Sequence, residues 1–113
     1  SERGSTFYGA AVKVQSVADI RRAYKKVVML DPSATHVMAA FKYKSPQGRI
    51  MCDYVDDGEH GGSWHVMQNI LDGNYIGVAC FVVRHYGGTH LGVRRFNHIN
   101  TAASSALYKL YNR

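Results

Sequence analysis

Ile76-Gly-Val-Ala-Cys-Phe-Val-Val83 is almost wholly apolar, and Arg84-His-Tyr-Gly-Gly-Thr-His-Leu-Gly-Val-Arg-Arg-Phe-Asn-His-Ile99 follows it directly. A short unbroken apolar run is the mark of a central strand, covered on both faces or at least poorly solvated. The residues behind it read as a strand end, a glycine-rich loop and the start of a basic helix. Glycines let backbone N–H groups approach a ligand closely. A helix N-terminus behind such a loop adds unpaired donors and a positive dipole end. Nothing acidic follows Asp72. The surface expected here is one that meets an anionic group.

Upstream of this run the pattern alternates between strand and helix. Thr6 to Gln15 reads as a first strand with Phe7, Ala11 and Val12 as core contacts. Ser16 then opens a helix as N-cap, with Asp19 three residues on as its capping-box partner. Ile20, Tyr24, Val27 and Val28 follow at helical spacing, with Arg21, Arg22, Lys25 and Lys26 opposite them. Asp31-Pro32-Ser33 ends the helix, because the residue before proline disfavours the α region. A second strand, Thr35 to Lys44, alternates Val37, Ala39, Phe41 and Tyr43 with His36, Met38, Ala40, Lys42 and Lys44. Ser45-Pro-Gln-Gly-Arg49 turns the chain into a third strand ending at Val55. A short helix is expected from Trp64 to Leu71, with Ser63 as N-cap, and a last one from Val93 to Tyr111. The order β-α-β-β-α-β-α predicts an α+β sandwich, a four-stranded sheet with its helices on one face.

A chain of 113 residues, 46% hydrophobic and 19% charged, is sized for a single folded domain. Ser1–Ser5 reads as a linker or cloning remnant, leaving residues 6–113 as the domain. No apolar run approaches the roughly 20 residues that span a bilayer, and no secretory signal is visible. Cys52 and Cys80 lie in apolar strand-like runs and are expected to be buried, reduced thiols of an intracellular protein, with a disulfide as the minor alternative. The formal charge of +6 favours acidic partners. It is also polarised: Asp53, Asp56, Asp57 and Glu59 gather within seven residues, while bases gather at Arg21–Lys26 and Arg84–Arg95.

Two loops and one sheet face could carry chemistry. Asp56-Asp57-Gly58-Glu59-His60-Gly61-Gly62-Ser63 holds three carboxylates and an imidazole, a set suited to a hard cation or to acid–base work. The favoured reading is structural: these acids cap the next helix and pair with Arg84, Arg94 or Arg95. Tyr86-Gly87-Gly88-Thr89-His90-Leu91-Gly92 lacks both the Gly-Lys-Ser/Thr ending of a P-loop and the Gly-x-Gly-x-x-Gly spacing of a dinucleotide site. Nucleotide hydrolysis is therefore disfavoured, whereas contact with an anion or partner through Arg84, His90, Arg94, Arg95 and His98 fits. With helices on one side of the sheet, His36, Met38, Ala40 and Lys42 would form an open face. No catalytic residue, metal ligand or cofactor is assigned.

Ala34-Thr35-His36, Asp56-Asp57-Gly58-Glu59, Tyr86-Gly87-Gly88 with Leu91-Gly92, and Arg95-Phe96-x-His98-Ile99-Asn100 occur in order. In this arrangement the chain resembles the IMPACT family, whose conserved domain also forms the N-terminal half of bacterial YigZ-type proteins. The last motif is similar to the eukaryotic branch. The resemblance runs from about Phe7 to Leu107. It implies a fold like the second domain of ribosomal protein S-five, with a left-handed β-α-β crossover against the usual rule. It also implies translational regulation: eukaryotic members bind the ribosome-associated scaffold that activates the amino-acid-starvation kinase, and they are not established enzymes. Two departures stand out. The loop between Glu59 and Gly61 is shorter than in relatives, and Ser63-Trp64 replaces a basic residue. Eukaryotic relatives also carry an N-terminal RWD domain absent from this sequence, which implies an excised domain or a different set of partners.

The leading expectation is a cytoplasmic, monomeric, non-enzymatic regulatory module that binds a protein or ribosome-associated partner and no membrane. RNA binding through the basic glycine loop, the open sheet face and stacking Tyr86 or Tyr43 is the second reading. A hydrolase or metal protein built on Asp56, Asp57, Glu59, His36 and His90 is the third. All three require the acidic bend and the cationic turn to share one rim of the sheet.

Overall fold

The computed structural model describes residues 2–112. Seven elements follow in the expected order: β1 (Thr6–Lys13), α1 (Val17–Leu30), β2 (His36–Lys44), β3 (Ile50–Val55), α2 (Gly62–Asp72), β4 (Val78–His85) and α3 (Arg94–Tyr111). The sheet order is β1-β4-β2-β3, and every neighbouring pair is antiparallel. β1 and β2 therefore point the same way on either side of β4. The apolar run lies where its composition requires, with Val78 through Val83 fully buried.

That burial overturns the placement of all helices on one face. Val78, Cys80 and Val82 face α2 and α3, packing with Met38, Val66, Ile70, Ile99 and Leu107. Ala79, Phe81 and Val83 face the other way, where Ile20, Ala23, Val27 and Val28 of α1 cover them. A central strand that is apolar at every position needs cover on both sides, and α1 supplies the second layer. The α+β class and the four-stranded sheet stand; the helices divide two to one.

The open sheet face is corrected by the same geometry. Met38 and Ala40 are buried in the α2–α3 core, and His36 and Lys42 at the two ends of that row are half-buried. The alternation along β2 is as expected, but the row chosen as open is the covered one.

At α1 the Ser16 hydroxyl accepts the Asp19 N–H at 3.2 Å, and the Asp19 carboxylate accepts the Gln15 N–H at 2.8 Å. Ser16 and Asp19 pair as predicted, but the return bond goes to Gln15, one residue before the N-cap. At α2 the cap differs. Gly61, with φ of 82°, is the N-cap and has no side chain to offer. Asp56 reaches in instead, accepting from the N–H groups of Gly61 and Ser63 at 3.0 Å and from the Ser63 hydroxyl at 2.5 Å. Ser63 is therefore a donor to the cap rather than the cap itself.

Two further expectations change. Glu2–Ser5 is integral to the fold: Ser5 is fully buried, and Glu2 pairs with Arg94 and His98; Ser1 lies outside the described residues. Cys80 is buried and free, but Cys52 is free and exposed. Cys52 sits on β3, an edge strand paired on one side only and exposed along its whole length.

Candidate functional site

β4 ends at one rim of the sheet, and its last turns carry Arg84 under the loop that precedes α2. Arg84 Nη1 lies 2.6 and 2.8 Å from the two oxygens of Glu59, and both side chains are about 95% buried. The guanidinium sits between the rings of Phe7 (5.0 Å) and Tyr86 (5.5 Å). Such a pair, desolvated but bonded at both oxygens and stacked on π faces, is a fixed structural unit.

Arg95 completes it from α3. Its Nε is 3.2 Å from Glu59 Oε2, outside good hydrogen-bond alignment but within ion-pair range. Its other nitrogens donate to the carbonyl oxygens of Gly92 (2.7 Å) and His60 (3.0 Å). One side chain thus stitches the glycine loop to the acidic loop. The acidic bend and the cationic turn do share one rim.

Between the two loops is a cleft of about 380 Å³ lined by His36, Gly58, Glu59, His60, Arg84, Tyr86, His90, Leu91, Gly92 and Arg95. His36 Nδ1 lies 2.7 Å from the Asp57 carbonyl oxygen. Because a carbonyl only accepts, Nδ1 is the donor in this contact. Tyr86 and His90 rings meet at 5.5 Å across the mouth.

The three acids have separate tasks. Asp56 caps α2; burial alone would raise its pKa, but the hydrogen bonds from Ser63 and Gly61 hold it below the ordinary carboxylate value. Asp57 accepts the Val37 N–H at 2.8 Å and ties the loop to β2. Glu59 takes the two arginines. Among the described residues, no group of three or more His, Cys, Asp or Glu side chains is placed to hold a metal ion.

Other candidate residues point elsewhere. Arg94 pairs with Glu2 at 2.8 Å, and His98 lies 2.9 Å from the same carboxylate while stacking on Phe7 at 5.1 Å. Gly87 and Gly88 shape the turn, and Gly87 packs so closely on Gly4 and Ser5 that a Cβ would strike their backbone. Arg21, Arg22, Lys25 and Lys26 are exposed on α1, away from the cleft lining. Met38 lies in the core, and neither it nor Lys42 lines the cleft.

Sequence reasoning missed Ser5, whereas His60 and Leu91 lie within the two loops it marked. The Ser5 hydroxyl accepts from Gly87 N–H at 3.0 Å and from Arg84 Nη2 at 3.4 Å. No local signal marks it, because both partners are some 80 residues away in the chain.

The structure is a mixed α+β domain with two loops locked by a buried Arg–Glu pair, and comparison with known proteins gives its family. The model of the Impact N-terminal domain matches residues 3–107. The chain belongs to the IMPACT family. It is 33% identical over 109 residues to an IMPACT homologue of Schizosaccharomyces pombe, covering 95% of this chain and 39% of that protein. A Caenorhabditis elegans homologue is 33% identical over 112 residues, covering 95% and 44%. The chain thus spans about two fifths of the curated relatives it matches.

Among solved structures, the two-domain translational regulator Yih1 is 32% identical with a TM-score of 0.59, covering 96% of this chain and 43% of that one. A protein of undescribed function shares the fold at a TM-score of 0.84 and 21% identity, covering 97% and 55%. Among the described residues no helix is long and apolar enough to cross a membrane.

Proposed function

We propose that this chain is a non-enzymatic binding module of translational control that acts in the cytoplasm through a protein or ribosome-associated partner, including in the response to amino-acid starvation. The observation that carries the reading is its 32% identity, over nearly its whole length, to part of the translational regulator Yih1. The site supports it. Its buried charged groups are engaged in holding two loops together, which suits a shaped recognition surface better than proton transfer. Tyr86 and His90 stand exposed at the mouth as contact groups, and Gly87, Gly88 and Gly92 set the loop's shape.

A chimera tests this. Yih1 with its matching domain replaced by this chain is expected to retain translational regulation, read as polysome profiles beside native Yih1. A folded chimera that behaves like Yih1 lacking the domain sinks the reading. The RNA alternative loses support, because Arg84 and Arg95 are engaged with Glu59 and the face holding Met38 is covered.

A further inference from the structure

α2 and α3 together cover one face of the sheet, whereas α1 stands alone on the other and has no fully buried residue. Beside α1 an open groove of about 750 Å³ runs over β2 toward the β3 edge. Its apolar surface comes from Tyr24, Val28, Ala39, Phe41 and Val55 above the buried Phe81, and its rim on α1 carries Arg21, Arg22 and Lys25. Arg22 is already paired with Asp19. Asp57 is the one carboxylate in the lining, and its side chain accepts the Val37 N–H.

We propose that this groove receives an acidic amphipathic helix of a partner protein. Its apolar stripe would lie on Phe41 and Val55, and its carboxylates would meet Arg21 and Lys25. Three observations select that occupant. On the opposite face α2 lies over β2 and β3, so the groove is the vacant counterpart of a helix position. The rim charge is cationic on the α1 side, which complements acidic flanks and repels basic ones. Strand addition at β3 is opposed, since Asp53 Oδ1 already accepts the Tyr54 N–H at 2.8 Å on its own strand. The surface is distinct from the Glu59–Arg84 cleft, and the proposal stands whether or not the chimera regulates translation.

The test uses a fluorescein-labelled peptide of about 18 residues, long enough to form a helix, with leucines at i, i+3, i+4 and i+7 and glutamates on both flanks. A second peptide carries lysine for every glutamate. Polarisation titration is expected to show saturable binding of the glutamate peptide and at least about tenfold weaker binding of the lysine peptide. Arg21→Glu/Lys25→Glu changes only exposed positions and should reverse that preference with an unchanged thermal melt. Phe41→Ala should weaken the glutamate peptide without reversing the preference. Absence of saturable binding, equal binding of both peptides, or an Arg21→Glu/Lys25→Glu variant that binds like wild type overturns the proposal. So does displacement of the peptide by an equimolar unstructured RNA, or sedimentation showing a dimer that the peptide cannot dissociate.

Discussion

Arg84 and Glu59, 25 residues apart in sequence, meet as a buried ion pair with both carboxylate oxygens within 2.8 Å of one guanidinium nitrogen. The contact joins the end of β4 to the loop entering α2, and so fixes the rim on which the cleft is built. Arg95 lies against the same carboxylate, so removing Glu59 strands two cations.

Truncating both partners should therefore cost less than the two single truncations added together. Arg84→Met or Glu59→Gln is expected to lower unfolding free energy by about 3–5 kcal/mol, the usual cost of leaving a buried charge uncompensated. The double variant should be destabilised by less than the sum of the singles. Urea unfolding of the four proteins measures this; additive effects would mean the pair is not coupled.

The α2 cap is supplied from six residues before the helix. Asp56→Ala should cost about 0.5–2 kcal/mol, the range for losing a capping side chain. The Asp56 pKa is depressed in the folded state. Its contribution is thus present above the unfolded carboxylate pKa and is lost as pH falls through the folded value. Acid titration of wild type and Asp56→Ala should converge at the lowest pH.

Tyr8 donates to Asp31 at 2.5 Å, and His85 lies 2.7 Å from the same oxygen, so β1, α1 and β4 are tied at one point. Burial, and then the Asp31 hydrogen bond, push the Tyr8 pKa up to about 12 from 10.0. A raised pKa gives stability that is complete below the unfolded value and lost as pH rises through the folded one. Between pH 10 and about 12 the protein should lose stability that Tyr8→Phe does not. Parallel alkaline melts of the two proteins show the difference.

Thiol labelling separates the cysteines. Cys52 is exposed, and the Cys80 thiol is raised to about 12 by burial. One thiol per chain should react with a disulfide reagent at neutral pH, and the second only in denaturant. Rapid labelling of both in native buffer would place Cys80 outside the core.

Gly87→Ala tests the N-terminal segment. An added Cβ would strike Gly4 and Ser5, so the segment must move and the Ser5–Arg84 and Glu2–Arg94 contacts should loosen. Amide exchange at residues 2–5 should accelerate, with the β2–β3 hairpin unaffected.

The element order, the capping pair at Ser16 and Asp19, and the central position of β4 were all readable in the chain, because each depends on neighbours a few residues apart. The Asp-Asp-Gly-Glu and Tyr-Gly-Gly motifs likewise marked the two loops of the cleft. The division of labour within them was not readable. Nothing local shows that Asp56 turns to α2 and Asp57 to β2 while Glu59 turns inward to two arginines.

What the sequence alone determined is where the chain is apolar, where it turns and where helices begin, since those follow from side-chain periodicity and local hydrogen bonding. Which face each helix covers, the exposure of Cys52 on a sheet edge and the burial of Ser5 were decided by tertiary structure. A strand that is apolar at every position requires two covers without naming them, and an edge strand has the same local pattern as an inner one. Only the meeting of distant segments sets which side chains lose their water.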